Sequence, residues 1–375
     1  MKEGTSLYLD CVRFVAALTV FASHYGTQHF TGGQFYQLQP YGAEAVDVFF
    51  VLSGFVIGCV TDGRERSARV YAVNRAARLW SVALPVLLLT LVLDRAGSAL
   101  RPDLYTAAAI PHYHPDGWLG RYLLSAVFLN QTWHLDITPG TDWPYWSLGY
   151  EPWYYVIFGM AIFAPGRVRV AATVIGATLA GPKVLALFPL WLAGFACSRL
   201  SRNLRPSPRS GAVLAAASVA GWIAYEARAV HHGRLFGLGP DVFGRLEFAQ
   251  DYLIGALFAV HLIGICHLSG PIGRRLGRFA RPIRWLAGST FSLYLMHYPV
   301  MQFLNAALPW PRESPVSRVL LFGLTLAAVF LFAEVSERRK PAWRRAIAAL
   351  SGRLLPPNPV AVPVRSGVAA ISGRQ

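Results

Sequence analysis

Residues 8–25 read YLDCVRFVAALTVFASHY, and this stretch decides the fold. It is apolar enough to enter a bilayer, yet it carries Asp10, Arg13 and His24. Ionisable groups inside a membrane are costly, so they face a protein interior or a wet cavity and mark function there. At roughly 100° per residue, the spacing of Arg13 and His24 brings them within about 20° of each other, roughly 16 Å apart along the axis. Asp10 lies one turn before Arg13 on nearly the same face. One face of a first membrane helix therefore holds a carboxylate, a guanidinium and an imidazole. The plainer alternative is a juxtamembrane Asp–Arg pair and a His that reaches the outer interface.

The rest of the chain fits that environment. Its 375 residues have a mean hydropathy of +0.39 and only 14% charged side chains. Windows of about 20 apolar residues recur, which indicates an all-α, polytopic helical membrane protein. The expected spans are 7–25, 44–61, 79–94, 146–164, 170–182, 184–198, 211–228, 249–268, 286–308 and 317–336, the fifth too short to cross without tilt, kink or re-entry. Ten crossings put both termini on one side. With the N-terminus inside, the inner segments hold 25 Lys and Arg and the outer ones eight. That asymmetry predicts a cell membrane protein with both termini cytoplasmic. It also explains the net charge of +16 without nucleic acid as a partner. The lipid bilayer is the expected surrounding instead. Cys11, Cys59, Cys197 and Cys266 have neither metal-ligand spacing nor a disulfide framework. The N-terminus has no good cleavage site and reads as an uncleaved first span. Residues 1–340 form the expected membrane domain. Residues 341–375, basic and Pro-containing, read as a disordered cytoplasmic tail.

Several motifs carry chemistry. The second span opens GAEAVDVFFVLSGFVIG at 42–58, placing Asp47 about one turn inside the membrane, at the depth of His24. A carboxylate beside an imidazole fixes its tautomer; alternatively, Glu44 and Asp47 cap the helix start. Ser53 and Gly54 suit close helix packing. Arg75 and Arg78 form an RxxR pair at the start of the third span, and arginine pairs recognise phosphate; they also serve the topology signal. WSLGYEPWYY at 146–155 puts Glu151 at the same outer depth, with Pro152 loosening the backbone. SLYLMHYPV at 292–300 places His297 mid-membrane before Pro299. The long outer segment 95–145 is rich in Pro, His and Trp, including His112 and Trp143, and includes a possible short helix at 121–130. Its histidines lack zinc spacing, so no metal site is expected. Its tryptophans suit an interfacial belt or sugar stacking.

Taken in order, D-x-x-R-x(10)-H (Asp10, Arg13, His24), VDVFFVLSGF, RxxR, WSLxxE and SLYLxHxP resemble the acyltransferase 3 family over residues 7–340. Those proteins are integral membrane O-acyltransferases, among them O-antigen and exopolysaccharide acetylases and enzymes that modify macrolides. The resemblance implies about ten membrane helices, a cytoplasmic acyl-CoA donor and an acceptor hydroxyl, often on a sugar. It implies His24 as the catalytic histidine, Arg13 as its helix partner, and Arg75 and Arg78 as an inner-face pair. The pattern departs at Pro152, where a second acid is usual. It departs again at Glu337 and Pro341, which are separated by three basic residues. No SGNH-type domain is present.

The expected reaction moves an acyl group, acetyl foremost, from acyl-CoA to a sugar or glycan-like hydroxyl. No permanently bound cofactor is expected. Arg13, Arg75, Arg78, Ser53 and His297 would line the donor path, and His24 would act as the base. Asp47 or Glu151 would orient it, and an acyl-histidine intermediate is a second route. Acylation of a small secreted metabolite, and a proton-coupled transporter or flippase, are the rival readings; the paired interrupted halves of many transporters are not evident.

Overall fold

The computed structural model describes residues 1–61, 65, 67–204, 207–232 and 248–354, and every element among them is helical. Ten long helices follow the expected spans: α1 Glu3–Tyr25, α2 Tyr41–Thr61, α3 Ala68–Leu100, α4 Glu151–Phe163, α5 Arg169–Ala180, α6 Phe188–Asn203, α7 Pro208–His232, α8 Phe248–His267, α9 Thr290–Ala307 and α10 Pro315–Val335. Five described segments are long and apolar enough to cross a membrane: Glu3–Tyr25, Tyr36–Thr61, Ala68–Leu100, Phe248–His267 and Pro315–Gly352. The others are shorter or less uniformly apolar. At about 1.5 Å per residue, α4 and α5 fall well short of a hydrocarbon core of about 30 Å.

Sequence explains the packing. Small residues let α2 and α6 approach closely. A side chain on Gly54 would lie 1.8 Å from the Trp191 carbonyl, and one on Gly194 would lie 1.9 Å from that of Val51. Helix α9 is buried along most of its length and touches α1, α3 and α10. A largely apolar helix belongs in the centre, and two polar groups along it, His297 and Gln302, are both fully buried. Its N-terminus is capped from a distant segment. Glu337 Oε2 accepts from the Ser292 N–H at 2.9 Å and its hydroxyl at 3.1 Å, and Glu337 Oε1 accepts from the Phe291 N–H at 3.3 Å.

Three expectations change. Pro152 does not interrupt a helix: a 3-10 turn, Trp143–Gly149, precedes it, and α4 begins at Glu151. Proline in a first helical turn removes no intrahelical bond. The expected disordered tail contains a helix, Lys340–Leu354, which packs on α3; Arg69 donates to Ser351 Oγ across that contact. Tail residues 355–375, together with Arg64 and Arg66, lie outside the described residues. In the outer segment the short helix runs over Trp118–Ala126, a few residues earlier than expected.

Candidate active site

His24 sits at the last turn of α1, half-buried, and its imidazole is held by another imidazole. His24 Nδ1 and His297 Nε2 are 2.8 Å apart, with the rings stacked at 15°. On its far side, His297 Nδ1 lies 2.8 Å from the Leu293 carbonyl. A carbonyl only accepts, so His297 Nδ1 carries the proton. Neutral His297 Nε2 is then the acceptor, and His24 Nδ1–H donates to it. The chain of bonds leaves the lone pair on His24 Nε2, the arrangement a general base requires. The group that meets His24 Nδ1 is His297, reached from α9, while Glu151 meets the Ser53 and Tyr155 hydroxyls.

Three more rings surround His24. Trp143 lies 5.2 Å from it and Tyr298 lies 5.4 Å from it, edge-on. His112, from the outer segment, stacks on Trp143 at 4.5 Å and 16°. Burial pushes the His112 imidazole below its ordinary pKa. The segment bearing His112 has its own small core, Tyr105, Ile110 and Tyr113 against Ala306 of α9. Gln302 Nε2 ties it down further, donating to the Leu104 carbonyl at 2.9 Å.

Toward the other end of α1 lies a cavity of about 240 Å3, bordered by Arg13, Ser53, Arg78, Glu151, Glu337, Arg338 and Lys340. Phe49, Phe291 and Tyr294 give it apolar walls. Tyr294 bonds Ser147 Oγ at 2.6 Å and stands one turn before His297 on α9. The cavity wall and the imidazole pair thus share a helix. Glu151 belongs here: its Oε1 accepts from Ser53 Oγ at 2.6 Å and from the Tyr155 hydroxyl. Trp191 Nε1 donates to the same serine at 3.2 Å. Glu151 therefore orients hydroxyls beside Arg13 and Arg78, one level away from His24. Asp47 is 1% exposed in α2, within the protein.

The arginine pair divides. Arg78 lines the cavity, whereas Arg75 is bound to Glu65 at 2.6 Å and lies over the rings of Tyr71 and Tyr155. Arg78 shares its cavity with Arg13, Arg338 and Lys340, four cations drawn from three segments. Arg338 and Lys340 belong to the basic run that separates Glu337 from Pro341, and the cavity they line is formed with α1 and α3, which sequence spacing does not bring together. The basic departure after Glu337 was the available signal. Among the described residues no three His, Cys, Asp or Glu side chains gather as a metal site would need.

Comparison with known proteins bears on the family. No solved structure matches. The chain is similar to the acyltransferase MdmB of Streptomyces mycarofaciens, 28% identical over 194 residues. Those residues are 48% of this chain and 47% of the relative, so the match spans about half the length of each. Residues 6–334 match the acyltransferase 3 profile, described as an acyltransferase domain. The chain, whose every described element is helical and which has five segments long and apolar enough to cross a membrane, belongs to the acyltransferase 3 family.

Proposed function

We propose that this protein transfers an acyl group, acetyl foremost, from cytoplasmic acyl-CoA to a hydroxyl of a sugar or glycan-like acceptor, with His24 as the base. The observation that carries the reading is the bond chain from His24 through His297 to the Leu293 carbonyl, which leaves His24 Nε2 as a lone pair. A hydroxyl entering beneath Trp143 and His112 gives its proton to that nitrogen as its oxygen attacks the thioester carbonyl. The tetrahedral centre collapses, the acyl oxygen bond remains, and the CoA thiolate leaves and takes up the proton. The cationic cavity supports the donor assignment, because a CoA phosphate group favours a desolvated cluster of guanidinium and ammonium groups. Arg13 and His24 are roughly 16 Å apart along one helix, a span similar to an extended pantetheine arm. The rings around His24 suit a pyranose, whose apolar face stacks on indole.

The same reading places the chain in the cell membrane with ten crossings and both termini cytoplasmic. The support is the excess of Lys and Arg in the segments that would face inward. Short helices α4 and α5 would then cross tilted or within a locally thinned bilayer. The test is radiolabelled acetyl-CoA supplied to purified protein in lipid nanodiscs, with His24→Ala as control. Acyl release or transfer by wild-type protein and none by the variant is expected. Equal rates for the two would remove His24 from the mechanism.

A further inference from the structure

Trp143 is the residue of the outer segment nearest His24, and its position is fixed by short-range backbone geometry. The local sequence is PGTDWP, residues 139–144. Gly140 takes a left-handed φ of 57°, and the Asp142 N–H returns to the Pro139 carbonyl at 3.2 Å. Asp142 has φ −75° and ψ 72°, and the Trp143 N–H donates to the Thr141 carbonyl at 2.8 Å. That is an inverse γ-turn. Pro144 restricts the backbone of Trp143 itself. The turn is sharp enough to aim the indole, and the 3-10 segment that Trp143 opens leads on to α4, but the chain before Trp143 needs its own attachment to the helical body.

Asp94, near the far end of α3, makes that attachment. Its Oδ2 accepts the Thr141 N–H at 2.9 Å and its Oδ1 accepts the Thr141 hydroxyl at 2.6 Å. The carboxyl group is 4% exposed. A side chain on residue 140 would come within 2.1 Å of Asp94 Oδ2, so glycine is what lets the carboxylate reach the turn. We infer that Asp94 is a positioning residue for the acceptor: by gripping Thr141 with both oxygens, it holds Trp143 against His24 and so forms the wall on which a sugar ring stacks. Asp94 touches neither substrate nor His24. This inference rests on reading the rings around His24 as the acceptor site.

Asp94→Asn is the informative change, because one carboxylate oxygen becomes an NH2 that must face another donor. Two readouts separate the possibilities. The first uses acetyl-CoA as donor and methyl α-glucopyranoside as the acceptor probe. Asp94→Asn is expected to raise the acceptor KM about tenfold or more and leave the donor KM within about twofold, because base–aromatic or sugar–aromatic stacking of this size depends on a fixed ring. Thr141→Val should fall in between, and Thr141→Ser, which retains the hydroxyl, should behave as wild type. The second readout needs no activity. Diethyl pyrocarbonate modifies accessible neutral imidazole, and peptide mass spectrometry reports His24 alone. Its modification rate should rise several-fold in Asp94→Asn and Gly140→Ala, and not in Thr141→Ser. An unchanged rate in folded Asp94→Asn protein overturns the inference; if that variant does not fold, an unchanged rate in Thr141→Val does so. A raised His24 rate with no transfer by wild-type protein would uphold the clamp and count against the catalytic reading.

Discussion

Replacing His297 by Leu tests the imidazole pair most directly. The change removes the acceptor for His24 Nδ1–H, a bond of 2.8 Å in a buried setting, and leaves a neighbour of similar volume. Losing one partner of a buried hydrogen bond costs about 1–3 kcal/mol. A factor of ten in rate corresponds to about 1.4 kcal/mol. The expected fall in kcat is therefore roughly 5- to 150-fold. The donor KM should hardly move, since His297 lies outside the cationic cavity. His297→Gln restores an acceptor oxygen at comparable reach and should recover most of the rate. Initial rates of acetyl transfer in nanodiscs, with donor concentration varied, measure all three quantities. Full activity in His297→Leu would refute the relay. A raised donor KM with unchanged kcat would return His297 to the donor path that the sequence suggested.

The remaining predictions follow the same geometry. Arg78→Ala should raise the donor KM about 10- to 100-fold, as loss of a charge-assisted bond implies, whereas Arg75→Ala should lower the thermal midpoint and change the donor KM little, because buried Glu65 then keeps the Asn74 amide but loses its countercharge; equal KM effects would contradict the division of the pair. Asp142 is fully buried with neither carboxylate oxygen bonded, and burial, then the nearby Asp94, hold its carboxyl well above the usual carboxylate range. Its folded-state pKa is raised, so its contribution to stability is full below the ordinary range and is lost as pH rises through the raised value; Asp142→Asn should therefore gain in Tm over wild type toward neutral pH and show little difference under acid conditions, and a pH-independent difference in scanning fluorimetry would contradict this. Sealed vesicles given membrane-impermeant acyl-CoA on one face should transfer only from the face bearing Arg78 and Lys340; equal transfer from both faces would remove the proposed route.

Helices and motifs were legible in the sequence because they rest on local periodicity. The ten apolar windows became ten helices, and the shared face of Arg13 and His24 needed only the pitch of one helix. Partnerships were not legible. That His24 is met by His297 depends on how α9 is set against α1, which also packs on α2, and depth alone cannot choose among groups expected at one level. Arg75 and Arg78 share a face by spacing, yet Glu65 turns one of them inward through a loop that periodicity does not describe. Pro152 was read as an interruption because apolarity runs unbroken across residues 146–164, although the 3-10 turn ends before it. Helix Lys340–Leu354 was hidden by the proline-rich composition that follows it.

The bond between His24 and His297 joins residues 273 positions apart. At synthesis rates of about 5–20 residues per second, His297 is made roughly 14–55 s after His24. Through that interval α1 is in or near the membrane without the ring that completes it, and Asp10, one turn from Arg13, is the countercharge it brings along. The cations Arg338 and Lys340 come later still. On the proposed mechanism, the base at His24 is complete only once α9 has been made, after most of the chain's helices.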